Sequence, residues 1–141
     1  MALRRSLPDS LPGLLRDGKV EEIKVALGRC EAGARLGDYF HSSVLHFPEC
    51  PEAIVRWLVQ RGEDVDAPDR FGARPLHRLR FDHDRDRARL LLELGADVDA
   101  TDGDGVTPLM LAVKQLSEGL VDTYLNAGAR PDAVARLWNG E

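Results

Sequence analysis

The sequence predicts an all-α solenoid in which pairs of short helices stack side by side. The first observation behind this prediction is a motif, present three times, in which a glycine precedes small and acidic residues. The glycines of successive copies are 33 residues apart, and the copies are Gly62-Glu-Asp-Val-Asp-Ala67, Gly95-Ala-Asp-Val-Asp-Ala100 and Gly128-Ala-Arg-Pro-Asp-Ala133. The second observation is another motif that also occurs three times, upstream of the glycine segments and in the same phase.

This second motif begins with an aspartate, and its copies are Asp38-Tyr-Phe-His-Ser-Ser-Val-Leu-His46, Asp69-Arg-Phe-Gly-Ala-Arg-Pro-Leu-His77 and Asp102-Gly-Asp-Gly-Val-Thr-Pro-Leu-Met110. A Thr-Pro-Leu-His-like start and a Gly-Ala-Asp-Val-Asn-like end at this period resemble the ankyrin repeat. The resemblance is strong from residue 38 onward and weak in the first 37 residues. It implies helix-turn-helix units joined by short β-turns or hairpins, and a function in protein binding.

The last copy follows the physical rules for a turn and two helices. Between Asp102 and Gly105 the acidic residue and the glycine suit a tight turn. Thr107 then caps a helix that proline can open. A second helix is predicted from Gly119 to Ala127, ended by Gly128. The apolar face of the first helix is assigned to Leu109, Leu111, Ala112, Val113 and Leu116.

The earlier copies depart from this pattern in different ways. In the middle copy, Pro75 opens the first helix and Leu90 to Leu92 lie in the second. The copy from Asp38 is shorter, so its first helix is expected to stop near Phe47-Pro48 and its second to start at Pro51-Glu52. The two segments upstream, Leu11 to Arg16 and Val20 to Leu27, are interpreted as a degenerate helix pair that caps the stack.

These boundaries predict a single domain over residues 1–141 with about four units. No Pro/Ser-rich linker separates them. The predicted units are a cap at 1–37, then 38–68, 69–101 and 102–134, with 135–141 as a tail.

Composition limits the function classes. Hydrophobic residues make up 43% and charged residues 30%, which is typical of a folded chain. The net charge of -5 disfavours a general nucleic-acid binder. Cys30 and Cys50 are too few for a disulfide framework, and no apolar run has the length of a membrane span or a signal peptide. We therefore expect a cytoplasmic protein that is a monomer or a weak oligomer.

No residue pattern indicates catalysis, a metal or a cofactor. His46 and His77 occupy the position at which the ankyrin family uses histidine to hydrogen-bond the turns, and His41 replaces the usual turn glycine. The run Asp82-His83-Asp84 is interpreted as a solvated loop, because three adjacent side chains point apart. A nucleophile pair of Cys50 with His46 lacks an acidic partner and is disfavoured.

The resemblance places a candidate partner-binding surface on the turn tips and the exposed side of the first helices. Aromatic and arginine side chains are the usual anchors of interfaces. The predicted residues are Tyr39, Phe40, Arg70, Phe71, Arg80, Phe81, Asp82, Asp104, Lys114 and Gln115. One alternative is that the aromatic rings pack between adjacent turns and do not bind a partner. The arginines of the Arg70 to Arg89 segment also have two interpretations, an anion-seeking patch or a solvated face of Asp–Arg pairs.

The predicted function is a non-enzymatic module that holds another protein in a concave groove. A sharper version is a bacterial immunity or inhibitor protein that neutralises a toxin or an enzyme by covering its surface. A nucleic-acid binder and a thiol or metal enzyme are the alternatives from other classes.

Overall fold

The computed structural model describes residues 2–132 of the chain, and the predicted tail at 135–141 lies outside them. The described part is mostly α-helical, as predicted, but it also holds a two-stranded parallel sheet that was not predicted. The elements are β1 (Arg4–Ser6), α1 (Leu11–Asp17), α2 (Val20–Leu27), β2 (Cys30–Arg35), α3 (Glu52–Gln60), α4 (Arg85–Glu93), α5 (Pro108–Lys114) and α6 (Glu118–Asn126). Short 3-10 turns span Val44–His46, Pro75–Arg78 and Asp82–Asp84.

In the sequence, the N-terminal helix pair lies between the two strands. Helices α1 and α2 match the predicted segments, and Gly18, with φ of 69°, turns the chain between them. Strand β1 pairs with β2 from Arg4, opposite Cys30, to Ser6, opposite Arg35. The strands escaped prediction because β1 has only 3 residues, all of them exposed, and so shows no alternation of polar and apolar side chains.

Two first helices are reduced to single turns. The Val44–His46 turn ends at extended Phe47, which confirms the early stop predicted for that unit. In the next unit the helix expected from Pro75 also ends after one turn. There the Asp84 carboxylate accepts the backbone N–H groups of Arg80 (3.0 Å) and Phe81 (3.2 Å), which stabilises a second 3-10 turn in place of a longer helix.

The last helix pair agrees best with prediction. The Thr107 hydroxyl accepts the Met110 N–H at 3.2 Å and caps α5. One assignment was wrong: Leu116 lies outside the apolar face, is 86% exposed and has a φ of 57°. The reason is that α5 ends at Lys114, so that the chain reverses at Leu116 before α6 begins.

A continuous core runs through all of these pairs. Leucine and other aliphatic side chains from α1 to α6 form one cluster, which includes the fully buried Leu11, Ile54, Leu91 and Leu120. Each helix pair therefore buries its apolar face against its neighbours, as stacked units require.

Two buried histidines each join the turn of their own repeat to the turn of the following repeat. The Nδ1 atom of His46 accepts the Ser43 N–H at 3.1 Å, so the proton resides on Nε2, which donates to the Ala73 carbonyl at 2.7 Å. His77 repeats this arrangement with the N–H of Arg74 (2.9 Å) and the carbonyl of Val106 (2.8 Å). The predicted structural role of both histidines is confirmed.

Burial of His46 makes the free energy of unfolding depend on pH. Burial lowers the pKa of His46 to about 4, and the hydrogen bond to the carbonyl opposes this only in part. A histidine in the unfolded chain has a pKa of about 6.5. Between this pH and the folded pKa of about 4, the unfolded chain therefore binds more protons than the folded chain does. We expect the free energy of unfolding to fall by up to ~1.4 kcal/mol per pH unit from this residue as the pH drops through that window. An NMR titration of the His46 ring with a midpoint near 6.5 would contradict the assignment.

Candidate functional site

Three four-residue turns line up along one edge of the stack. Each begins with an aspartate of the second motif, and its fourth residue has a positive φ: 52° at His41, 80° at Gly72 and 78° at Gly105. The carboxylate of Asp69 accepts the N–H groups of Phe71 (2.8 Å) and Ala73 (3.0 Å), which holds its turn closed. The unusual backbone of His41 agrees with its interpretation as a replacement for a turn glycine.

Backbone hydrogen bonds join these turns into one row. The Arg70 N–H donates to the Phe40 carbonyl at 2.8 Å, and the Gly103 N–H donates to the Phe71 carbonyl at 2.8 Å. The second contact is so close that a Cβ atom on Gly72 would lie 2.7 Å from the Gly103 nitrogen. The turn tips are therefore held at fixed distances from one another.

The row presents three aromatic rings, Tyr39, Phe40 and Phe71, which we name the aromatic cluster. Their centroids are 5.4 to 5.8 Å apart, and each ring contacts the other two. The residues stay 65%, 46% and 46% exposed, respectively. The rings therefore pack on each other across adjacent turns, as one alternative held, and still offer an open apolar face to solvent.

Two arginines flank the aromatic cluster. The guanidinium of Arg70 lies 5.1 Å from the centroid of Tyr39, and that of Arg78 lies 5.3 Å from the centroid of Phe40. These are cation–π distances, and they place positive charge against the rings. The signal that could have found Arg78 is its position in the repeat, where the family usually has a small apolar residue.

Arg78 is also part of the interior. Its Nη2 donates to the Asp69 carboxylate at 2.7 Å and to the Ser42 hydroxyl at 3.2 Å. Burial by itself would raise the pKa of Asp69, but Arg78 and two backbone amides hold that pKa below its ordinary value. The ion pair thus stabilises the Asp69–Gly72 turn, which carries Phe71, from its buried side.

The arginine segment divides into two groups. Arg78 and Arg87 point into the structure, the latter donating to the Cys50 carbonyl. Arg70, Arg80 and Arg89 are exposed, and Arg89 lies 3.5 Å from Asp86. The segment is therefore neither a single anion-binding patch nor a uniformly solvated face.

All ten residues of the predicted partner-binding surface are exposed. Six of them follow Phe71 in the chain and lie outside the aromatic cluster. Phe81 is 60% exposed and stacks on His83 at 5.2 Å between centroids. The Asp82 carboxylate accepts the Ser117 hydroxyl (2.7 Å) and the Gly119 N–H (3.0 Å), so it holds the start of α6. Arg80, Asp104, Lys114 and Gln115 are not brought into the aromatic cluster.

The geometry opposes the thiol alternative. Both ring nitrogens of His46 are engaged, and burial raises the pKa of the Cys50 thiol to about 12.

Within residues 2–132, no group of three or more His, Cys, Asp or Glu side chains is arranged to hold a metal ion. None of the helices in that range is both long and apolar enough to cross a membrane.

Comparison with protein-family models identifies a family for this chain. A family model described as "Ankyrin repeats (3 copies)" matches residues 18–135, well over half of the chain. No curated protein has a significant match to the sequence.

The close approach of the turns predicts different effects for two glycines with nearly equal φ. Gly72→Ala and Gly105→Ala both place an alanine in the left-handed region, at a cost of roughly 1–2 kcal/mol. Only at Gly72 does the new Cβ also collide with a neighbouring turn, whereas nothing lies within 4 Å of it at Gly105. In urea unfolding, we expect Gly72→Ala to cost at least ~1 kcal/mol more than the control. Equal losses would show that the turns are not in contact.

Proposed function

Because the chain belongs to the ankyrin-repeat family, we propose that it is a non-enzymatic module that holds a partner protein in a concave groove, with the aromatic cluster as the anchor. Ankyrin repeats are generally protein–protein interaction modules. In this proposal the row of turns and the exposed side of the short first helices form the groove. Cys30 and Cys50, both buried and unbridged, fit a place in the reducing cytoplasm.

The open aromatic cluster is the observation that carries this proposal. The three neighbouring rings lie outside the buried core cluster and are 46% to 65% exposed. Aromatic side chains and arginines are the residues that most often dominate binding energy. The turns that carry these rings are already joined by backbone hydrogen bonds, so their backbone loses little freedom when a partner docks.

Polar residues would form the rim of the contact. Arg70 adjoins the cluster through its contact with Tyr39, while Asp104 lies on the tip of the next turn. Lys114 and Gln115 lie at the end of α5, and Arg80, Phe81 and Asp82 follow the Pro75–Arg78 turn. Such a rim contributes mainly specificity and association rate.

A double variant, Phe71→Ala with Arg80→Glu, tests the groove. Both side chains are exposed, so we expect the variant to fold normally and to bind its partner at least tenfold more weakly, about 1.4 kcal/mol. The matched control is Leu125→Ala with Arg130→Glu, which removes an exposed apolar side chain on α6 and makes the same change in charge.

The measurement is capture of partners from the native host with the wild-type chain and both variants, followed by titration of the captured protein. Loss of affinity in the groove variant alone supports the proposal. Equal affinity of all three chains would contradict it. An activity assay on the captured protein then separates surface blockade, as in an inhibitor or immunity protein, from simple tethering.

A further inference from the structure

A recess lined by arginines lies beside the aromatic cluster. Pairing of β1 with β2 brings Arg4 and Arg5 close to Arg35, although 30 or more residues separate them in the sequence. We name the space between them the arginine recess. Its volume is about 660 Å³, and it is lined by Arg4, Arg5, Ser6, Arg35, Leu36, Gly37 and His41.

The charge of this recess is opposite to that of the chain as a whole. Three arginine residues line it on a protein with a net charge of -5. The Glu31 carboxylate lies 3.9 Å from Arg5, a distance too long for a strong hydrogen bond, and the Arg5 side chain remains 90% exposed. A positive region on an acidic surface concentrates negatively charged ligands locally.

Arg35 lies at the inner side of the recess, with part of its guanidinium group buried. Its Nη1 atom is buried and has no hydrogen-bond partner among the residues that the structure describes. Burial raises the pKa of Glu63, and the Gly33 N–H and the positive charge of Arg35 oppose that rise. The Oε1 atom of Glu63 is likewise buried without a hydrogen-bond partner among the residues that the structure describes. Because its Nη1 atom is buried, Arg35 acts on a ligand in the recess through its positive charge, and the exposed Arg4 and Arg5 supply the direct contacts.

The arginine recess and the aromatic cluster share one loop. The Leu36 N–H donates to the Ser42 carbonyl at 2.9 Å and closes the segment between them. Gly37 and His41 of this loop line the recess, while Tyr39 and Phe40 between them belong to the cluster. A ligand that touches both features therefore needs negative charge next to an apolar group.

We propose that the arginine recess binds an acidic segment of the partner protein, whose Asp or Glu side chains lie next to an aromatic or aliphatic residue seated on the aromatic cluster. This inference rests on the proposed function and specifies the chemistry of its ligand. A guanidinium group can bind a carboxylate through two parallel hydrogen bonds, which favours arginine over lysine for this task.

A peptide fits this site better than a nucleic acid does. The recess has three arginines in one place, and the rest of the surface carries excess negative charge that repels a long polyanion. A nucleic acid would gain little from the apolar cluster unless its bases were unpaired. The nucleic-acid alternative is therefore an outcome of the test.

The test is a selection from a random peptide-display library with the full chain, followed by affinity measurements on the selected peptides after synthesis. We expect wild-type binders to be enriched in Asp and Glu beside an aromatic or aliphatic residue. Arg4→Glu with Arg5→Glu should weaken these peptides at least tenfold, because both side chains are exposed and their reversal repels the acidic part. The matched control, Arg89→Glu with Arg130→Glu, makes the same change in net charge and should bind as the wild type does.

Other outcomes overturn the inference in distinguishable ways. Peptides without acidic enrichment, or peptides that the control variant weakens equally, would remove the arginine recess and leave the proposed function intact provided that Phe71→Ala still weakens them. Peptides indifferent to Phe71→Ala, or a selection that enriches none, would remove the proposed function and this inference with it. Tighter binding of a single-stranded oligonucleotide than of a selected peptide of equal charge would reassign the recess to nucleic acids.

Discussion

The rest of the structure depends on one hydrogen bond that occurs twice, from a buried histidine to the turn of the following unit. His46 reaches Ala73 and His77 reaches Val106, at 2.7 and 2.8 Å. The other ring nitrogen is fixed by a backbone N–H of the same unit, so the neutral imidazole has only one useful orientation. A loop carbonyl that would otherwise need water is thereby satisfied inside the stack.

This constraint extends outward to the surface. Once each turn is held from below, its tip can hydrogen-bond to the next tip through Arg70 and Gly103. The turns that carry Tyr39, Phe40 and Phe71 are thereby held in place, while these residues remain 46% to 65% exposed. In the proposed function, a partner meets a surface that is already arranged, which lowers the entropy that binding must offset.

The parts that the sequence predicted are those specified by local chemistry. Thr107 as a cap and the histidines at the ends of the turns were recognisable, because each acts within a few residues or at the repeat distance. The β1–β2 pairing and the arginine recess were not predicted, since they depend on contacts between residues far apart in the chain. Leu116 was misassigned because helical spacing continues past α5, and nothing local marks the left-handed residue that ends it.

The central claim is that the turns form one rigid row that supports the proposed binding surface, and native-state amide hydrogen exchange tests it most directly. Arg70 and Gly103 lie on exposed turns, yet their N–H groups donate to neighbouring turns at 2.8 Å. The account predicts that both amides exchange as slowly as those inside α6, because they open only when units separate. Exchange at the rate of an unstructured peptide would show that the turns move independently and that the aromatic cluster is not preformed.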